Sequence, residues 1–197
     1  MKLICELQEA VNYELLEEEN KPKQYFIEGI FMQSEKKNKN GRIYPMEVLE
    51  KEVGRYITEY VEPKRAFGEL GHPDGPTVNL DRASHMITDL RKEGKNFVGR
   101  AKILGTPNGE IVKNLIDEGA RLGVSSRGMG TLKPEKKAQI VQDDFQLICW
   151  DFVSEPSTPG AFMMSEGVEI NEGDLDRYFT KTDKIDRIFN DILDWEE

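Results

Sequence analysis

Two glycine-flanked stretches hold residue types that could do chemistry together: Gly68-Glu69-Leu70-Gly71-His72-Pro73 and, further along, Gly123-Val124-Ser125-Ser126-Arg127-Gly128-Met129-Gly130. A serine hydroxyl attacks only when a neighbouring base takes its proton, and imidazole titrates where that transfer is easy near neutrality. His72 is one of only two histidines in the chain. Glycines beside a serine let the backbone turn sharply and aim N–H groups at a developing oxyanion. Ser126, Arg127 and Gly128 follow Ser125 and are the candidate donors, so both stretches are expected on glycine-rich turns. The second is not the G-x-S-x-G elbow of α/β-hydrolases, because Arg127 stands where that motif needs glycine. A structural turn or a phosphate cradle is the alternative that the residues alone leave open.

A third group comes from the strand predicted over 145–153. Alternation puts Leu147, Cys149, Asp151 and Val153 on one face and Gln146, Ile148, Trp150 and Phe152 on the other. Asp151 thus falls on an apolar face, where an unpaired carboxylate is costly. Its partner is either a histidine, which it would orient as the third member of a triad, or an arginine in a salt bridge. Cys149 reads as inert packing.

Elements must bring these groups together. Leu3, Leu7, Val11 and Leu15 allow an amphipathic helix, though the first residues could equally form a strand. Residues 25–32 read as a strand with a bulge at Gly29. Pro45 opens a helix to about residue 60, with Leu49, Val53, Tyr56 and Tyr60 on one face and Pro63 ending it. Residues 83–90 and 97–104 form a β-hairpin on which His85, Ile87 and Asp89 share a face, so His85 is a strand residue first. Thr106-Pro107 caps a helix with an apolar stripe of Ile111, Val112, Leu115 and Ile116, and Gly119 closes it. Ile185, Ile188, Phe189, Ile192 and Trp195 mark a C-terminal amphipathic helix.

A chain of 197 residues with 38% hydrophobic and 32% charged content suits one globular domain with appendages. No membrane span or signal peptide is expected, which points to the cytosol. Two distant cysteines and two histidines predict neither disulfide nor metal, and no cofactor is expected. The net charge of −10 sits at the ends: residues 1–20 hold six acids against one lysine, and residues 172–197 nine acids against four bases. The neutral middle lacks the basic face that nucleic acid requires.

With these motifs in order, the chain resembles the prohead core proteases of T-even-type tailed phages. The resemblance covers residues 24 to 170. It is carried by Ile27-Glu28-Gly29-Ile30-Phe31-Met32-Gln33, Asn40-Gly41-Arg42-Ile43-Tyr44-Pro45, the two glycine-flanked stretches, Asp151, and Pro156-Ser157-Thr158-Pro159. It implies a serine endopeptidase acting on scaffold and major capsid proteins inside the immature head, in the host cytoplasm. It also implies an α+β fold, a mostly antiparallel β-barrel with surrounding helices, like the herpesvirus maturational proteases. His72 would be the base, Ser125 the nucleophile and Asp151 the third member. The herpesvirus relatives use a second histidine there, which keeps His85 as a competitor. The one departure is Gly71, where the resemblance leads us to expect asparagine.

The family cuts after glutamate with leucine or isoleucine two residues earlier. Glu6, Glu17, Glu118 and Glu172 are among the places that fit that pattern, and Arg127 is a candidate for binding the substrate glutamate. The chain is therefore expected to divide into an acidic N-terminal segment (1–20), a protease core (21–171) and an acidic tail (172–197), the ends being removed by self-processing after Glu6, Glu17 and Glu172. A homo-oligomer is expected, with no nucleic acid or membrane partner. Two rival functions are a non-catalytic head component that binds scaffold and a hydrolase of small esters.

Overall fold

The computed structural model describes residues 2–8, 11–16, 24–38, 40–73, 75–120, 122–135 and 137–154. Among these residues strands dominate, with two α-helices against them. In chain order they are β1 (Lys2–Gln8), β2 (Val11–Leu16), β3 (Gln24–Gln33), β4 (Arg42–Ile43), α1 (Met46–Tyr56), β5 (Phe67–Glu69), β6 (Ala83–Glu93), β7 (Asn96–Ile103), α2 (Pro107–Asp117), β8 (Gly123–Gly130), β9 (Leu132–Glu135), β10 (Ala138–Val141) and β11 (Gln146–Val153). The first residues take the strand alternative, as β1 and β2, rather than a helix.

The strands form three sheets, ordered β1-β8-β11, β2-β3-β7-β6-β5 and β4-β10-β9. All pairings in the first two are antiparallel, while β4 runs parallel to β10. The first two sheets meet where Leu70 bridges Phe152 in parallel and the Gly71 N–H donates to the Phe152 carbonyl at 2.6 Å. No closed barrel forms among the described residues. At Gly71 the chain turns away, so the β5–β11 junction stops at a single bridge instead of continuing as a ladder.

Trp150 is the centre of the core. Fully buried, it packs against Phe31 at 5.6 Å and edge-on to Tyr56 at 5.2 Å between ring centroids, and its indole N–H donates to the Phe31 carbonyl at 3.1 Å. Helix α1 buries Leu49, Val53 and Tyr56 as its spacing predicts. It then loosens into a π-helical turn at Ile57–Val61. Its buried Glu52 is no defect: the carboxylate accepts from the Leu147 N–H at 3.0 Å and pairs with Arg55 at 2.9 Å.

Three details differ from the periodicity. The bulge of β3 lies between Ile30 and Met32 rather than at Gly29. On α2 only Val112 and Ile116 of the stripe are buried, while Ile111 is 47% and Leu115 36% exposed. A bulge in β11 between Leu147 and Cys149 sends Leu147 to the core side opposite Gly128, so the predicted alternation runs from Cys149 onward. The capping at Thr106 is as expected, its hydroxyl accepting from the Gly109 N–H at 3.2 Å.

Candidate active site

The serine stretch is strand, not turn. Ser125 and Ser126 lie inside β8, flanked by β1 on one side and β11 on the other. Its glycines serve packing here: a Cβ on Gly128 would lie 2.5 Å from Cε2 of Phe145. Ser125 stands directly opposite Asp151 and Arg127 opposite Cys149. Cross-strand partners share a face, so these four side chains gather on one side while Val124, Trp150 and Phe152 go to the core.

The histidine stretch comes to that face from β5. Gly71 has φ +83°, the left-handed region that favours glycine and that asparagine tolerates better than most residues. This turn swings His72 over β8 and gives a physical reason why either residue can precede it.

The resulting contacts form a line. His72 Nε2 is 2.6 Å from Ser125 Oγ, and Nδ1 is 2.9 Å from Asp151 Oδ2. Asp151 is fully buried, and burial pulls its pKa upward. The His72 hydrogen bond, the Arg127 charge and the Glu69 N–H, which donates to Oδ1 at 3.0 Å, outweigh that and hold it below its ordinary value. An ionised Asp151 accepts, so Nδ1 carries the proton and Nε2 is left to accept from the serine hydroxyl. That is the arrangement of a general base poised on a nucleophile. His72 keeps 27% of its side chain exposed, while Ser125 is 3% exposed.

Both partners weighed for Asp151 are present. Arg127 Nη2 donates to Asp151 Oδ1 at 3.2 Å, and Nε lies 2.9 Å from Oδ2 in ionic contact without hydrogen-bond alignment. The same Nη2 lies 3.1 Å from Glu69 Oε1 and 3.1 Å from Cys149 Sγ, and Nη1 donates to the Gly75 and Thr77 carbonyls at 2.7 and 3.2 Å. Arg127 is completely buried and spent on these groups. It is thus no surface cation for a substrate glutamate. Burial pushes the Cys149 thiol well above its usual range, which keeps it protonated and unreactive.

Glu69 had no role assigned from the sequence. It accepts from the Asn79 N–H at 2.9 Å as well as from Arg127, and Arg82 Nε stands 3.4 Å from its other oxygen. The signal that could have found it is an acid in a motif shared with the histidine, since a buried arginine beside one aspartate attracts a second carboxylate. The backbone of Ser126, Arg127 and Gly128 lies in the doubly flanked strand, so these residues do not present a free loop of donors.

His85 takes no part in the line. It is fully buried and stacks on Phe152 at 3.7 Å. Nε2 lies 2.9 Å from the Trp150 carbonyl, which can only accept, so the proton is on Nε2 and Nδ1 accepts from Ser84 Oγ at 2.9 Å. Burial lowers its pKa to about 4. Below pH 6.5 the unfolded chain takes up a proton that the folded chain refuses down to about 4. Stability tied to His85 is therefore complete above 6.5 and falls by about 3 kcal/mol across that window. Thermal melts from pH 7 to 4 should show this slope flattened in His85→Gln.

Glu17, Glu172, the Pro156–Pro159 motif, the C-terminal helix and the boundary at 172 lie outside the described residues.

The chain matches, over residues 10–173, the family described as prohead core protein serine protease. It is 39% identical over 163 residues to the prohead core protein protease of Enterobacteria phage T4, covering 80% of this chain and 76% of that protein. A solved structure of the bacteriophage T4 capsid assembly protease superposes with a TM-score of 0.70 at 34% identity, covering 77% of this chain and 97% of that one. The matched span takes in the histidine turn, the serine strand and the strand of Asp151, so the chain belongs to the prohead core protein serine proteases.

Proposed function

We propose that this protease matures a phage prohead from within, cutting scaffold and major capsid proteins after glutamate and removing its own acidic ends after Glu6, Glu17 and Glu172. Ser125 is the nucleophile, His72 the base and Asp151 the residue that orients it. The observation that carries the reading is the line from Ser125 Oγ through His72 to Asp151, with 2.6 and 2.9 Å between its members.

The register of β1 supports self-processing. It lies antiparallel to β8 with Leu7 opposite Ser125 and Glu6 opposite Ser126, so the Glu6–Leu7 peptide runs alongside the nucleophile. An extended peptide added to an open strand edge gains main-chain hydrogen bonds whatever its sequence. A substrate would reach Ser125 in the place that β1 occupies. The oxyanion then falls to those N–H groups among Ser126, Arg127 and Gly128 that point to that edge, since alternate residues of a strand face the same neighbour.

The proposal extends to kinship with herpesvirus maturational proteases. What supports it is the strand succession β1-β8-β11 followed, across the single Leu70–Phe152 bridge, by β5-β6-β7-β3-β2.

The test is a peptide spanning residues 2–12, incubated with the purified protein and mapped by mass spectrometry. Cleavage between Glu6 and Leu7 is expected, with glutamine in place of glutamate lowering the rate about 100-fold. Shortening the peptide should slow the cut, because remote contacts feed the transition state. Rapid turnover of simple esters with no dependence on peptide length would favour a small-ester hydrolase, and no turnover of either would favour a scaffold-binding component.

A further inference from the structure

We infer that Arg127 and Glu69 act as a buried ionic clamp that positions two members of the triad at once, Asp151 directly and His72 through the loop that carries it. The inference rests on the triad reading above and adds two positioning residues to it.

Arg127 spreads its guanidinium over three structural units. Nε and Nη2 face Asp151 on β11, Nη2 also faces Glu69 at the end of β5, and Nη1 holds the carbonyls of Gly75 and Thr77 in the segment after His72. Glu69 completes the ring by accepting from the Asn79 N–H, while its own N–H donates to Asp151. The described residues between Gly71 and Asn79 form no helix or strand of their own. Among the described residues this segment is held to the serine strand by the charge-assisted bonds of Arg127 and by His72 against Ser125, and to β11 by the Gly71–Phe152 hydrogen bond and by His72 against Asp151.

Charge gives a second reason. Two fully buried carboxylates, Glu69 and Asp151, share one fully buried guanidinium, with the half-exposed Arg82 at the margin. Removing the guanidinium would leave two like charges side by side in low dielectric, and one of them would take up a proton. A protonated Asp151 could no longer stabilise the imidazolium that forms when His72 accepts the serine proton. Besides His72, which carries a positive charge only once it has taken a proton, the other groups facing Asp151 cannot replace the cation. The Cys149 thiol beside it is neutral, and His85 on β6 and Tyr56 on α1, which sense its charge from further off, are both held neutral by burial.

A planar five-donor fork is needed for this geometry. Lysine would keep the charge but could not reach Asp151, Glu69 and two carbonyls together. The two substitutions therefore separate the electrostatic role from the fastening role.

The experiment uses the full chain in a Ser125→Ala background, which prevents self-cleavage during measurement. Nuclear magnetic resonance follows the Asp151 carboxyl carbon and the low-field Nδ1 proton of His72 through a pH titration. In the background protein the carboxyl should titrate below the ordinary aspartate value, with a sharp His72 proton. Arg127→Met should raise the Asp151 midpoint by at least about one pH unit and abolish the His72 proton. Arg127→Lys should keep the midpoint low yet broaden that proton, because Gly75 and Thr77 lose their donor. Should the Met variant fail to fold in a thermal melt, the Lys variant and Glu69→Gln, which keeps the shape of the ring, carry the test through the same proton.

An unchanged midpoint in folded Arg127→Met overturns the clamp. So does a sharp, unshifted His72 proton in both Arg127→Lys and Glu69→Gln. A background protein with no Asp151-bonded His72 proton would overturn the triad reading and the clamp with it.

Discussion

Ser125→Ala and His72→Ala should each lower the rate of peptide cleavage by about 10⁶-fold, and the double variant should be no slower than either single one. The reason is that the two act as one unit. With 2.6 Å between Ser125 Oγ and His72 Nε2, the imidazole of the proposed mechanism takes the hydroxyl proton and passes it to the leaving amine. Without the hydroxyl there is no proton to take, and without the base the hydroxyl stays a poor nucleophile. Steady-state rates of the four proteins on one peptide check this. Effects that multiplied in the double variant would mean that the two residues contribute independently. Both singles should fold as the parent does, since neither substitution touches the Trp150 core.

Asp151→Asn should cost about 10⁴-fold in turnover while leaving substrate binding nearly unchanged. The amide keeps the shape but not the charge, so the imidazolium loses its counter-ion. Its NH₂ also offers a donor where Nδ1–H needs an acceptor, which favours the tautomer with the proton on the serine side. Arg127 would keep Glu69 as its partner, so the fold should survive with reduced stability. The kcat and KM of this variant on the Glu6–Leu7 peptide separate the two parameters. A raised KM with kcat intact would place Asp151 in substrate binding instead.

Much of the site was legible in residue types and little of it in local conformation. Asp151 could be singled out because a carboxylate among Leu147, Cys149 and Val153 requires a partner wherever it is buried. Histidine and arginine were weighed as alternatives, and the structure has both, because one carboxylate has lone pairs for several donors. The conformation around Ser125 was misread for a physical reason: glycines at 123, 128 and 130 signal a turn locally. The antiparallel partners β1 and β11 hold the stretch as a strand from outside, and such long-range pairing overrides local preference.

The helix at Thr106-Pro107 and the hairpin of β6 and β7 were readable because their caps and alternation are local. The bulge at Ile148 was not, since nothing in Leu147-Ile148-Cys149 marks it, and it moves Leu147 to the opposite face. Glu69 stayed hidden because its significance depends on Arg127, which is distant in sequence and meets it only in three dimensions. The acidic charge at both ends is visible in the sequence, yet only the pairing of β1 with β8 gives the N-terminal end a place beside Ser125.

The most direct test is the intact mass of the purified protein and of Ser125→Ala after incubation at about pH 7.5. The account predicts that the parent loses its N-terminal residues up to Glu6, and on further processing up to Glu17, and is also trimmed after Glu172, while Ser125→Ala keeps its full mass. Equal cleavage of both proteins would contradict Ser125 as the nucleophile, and a parent that stays whole while cutting the Glu6–Leu7 peptide would contradict self-processing.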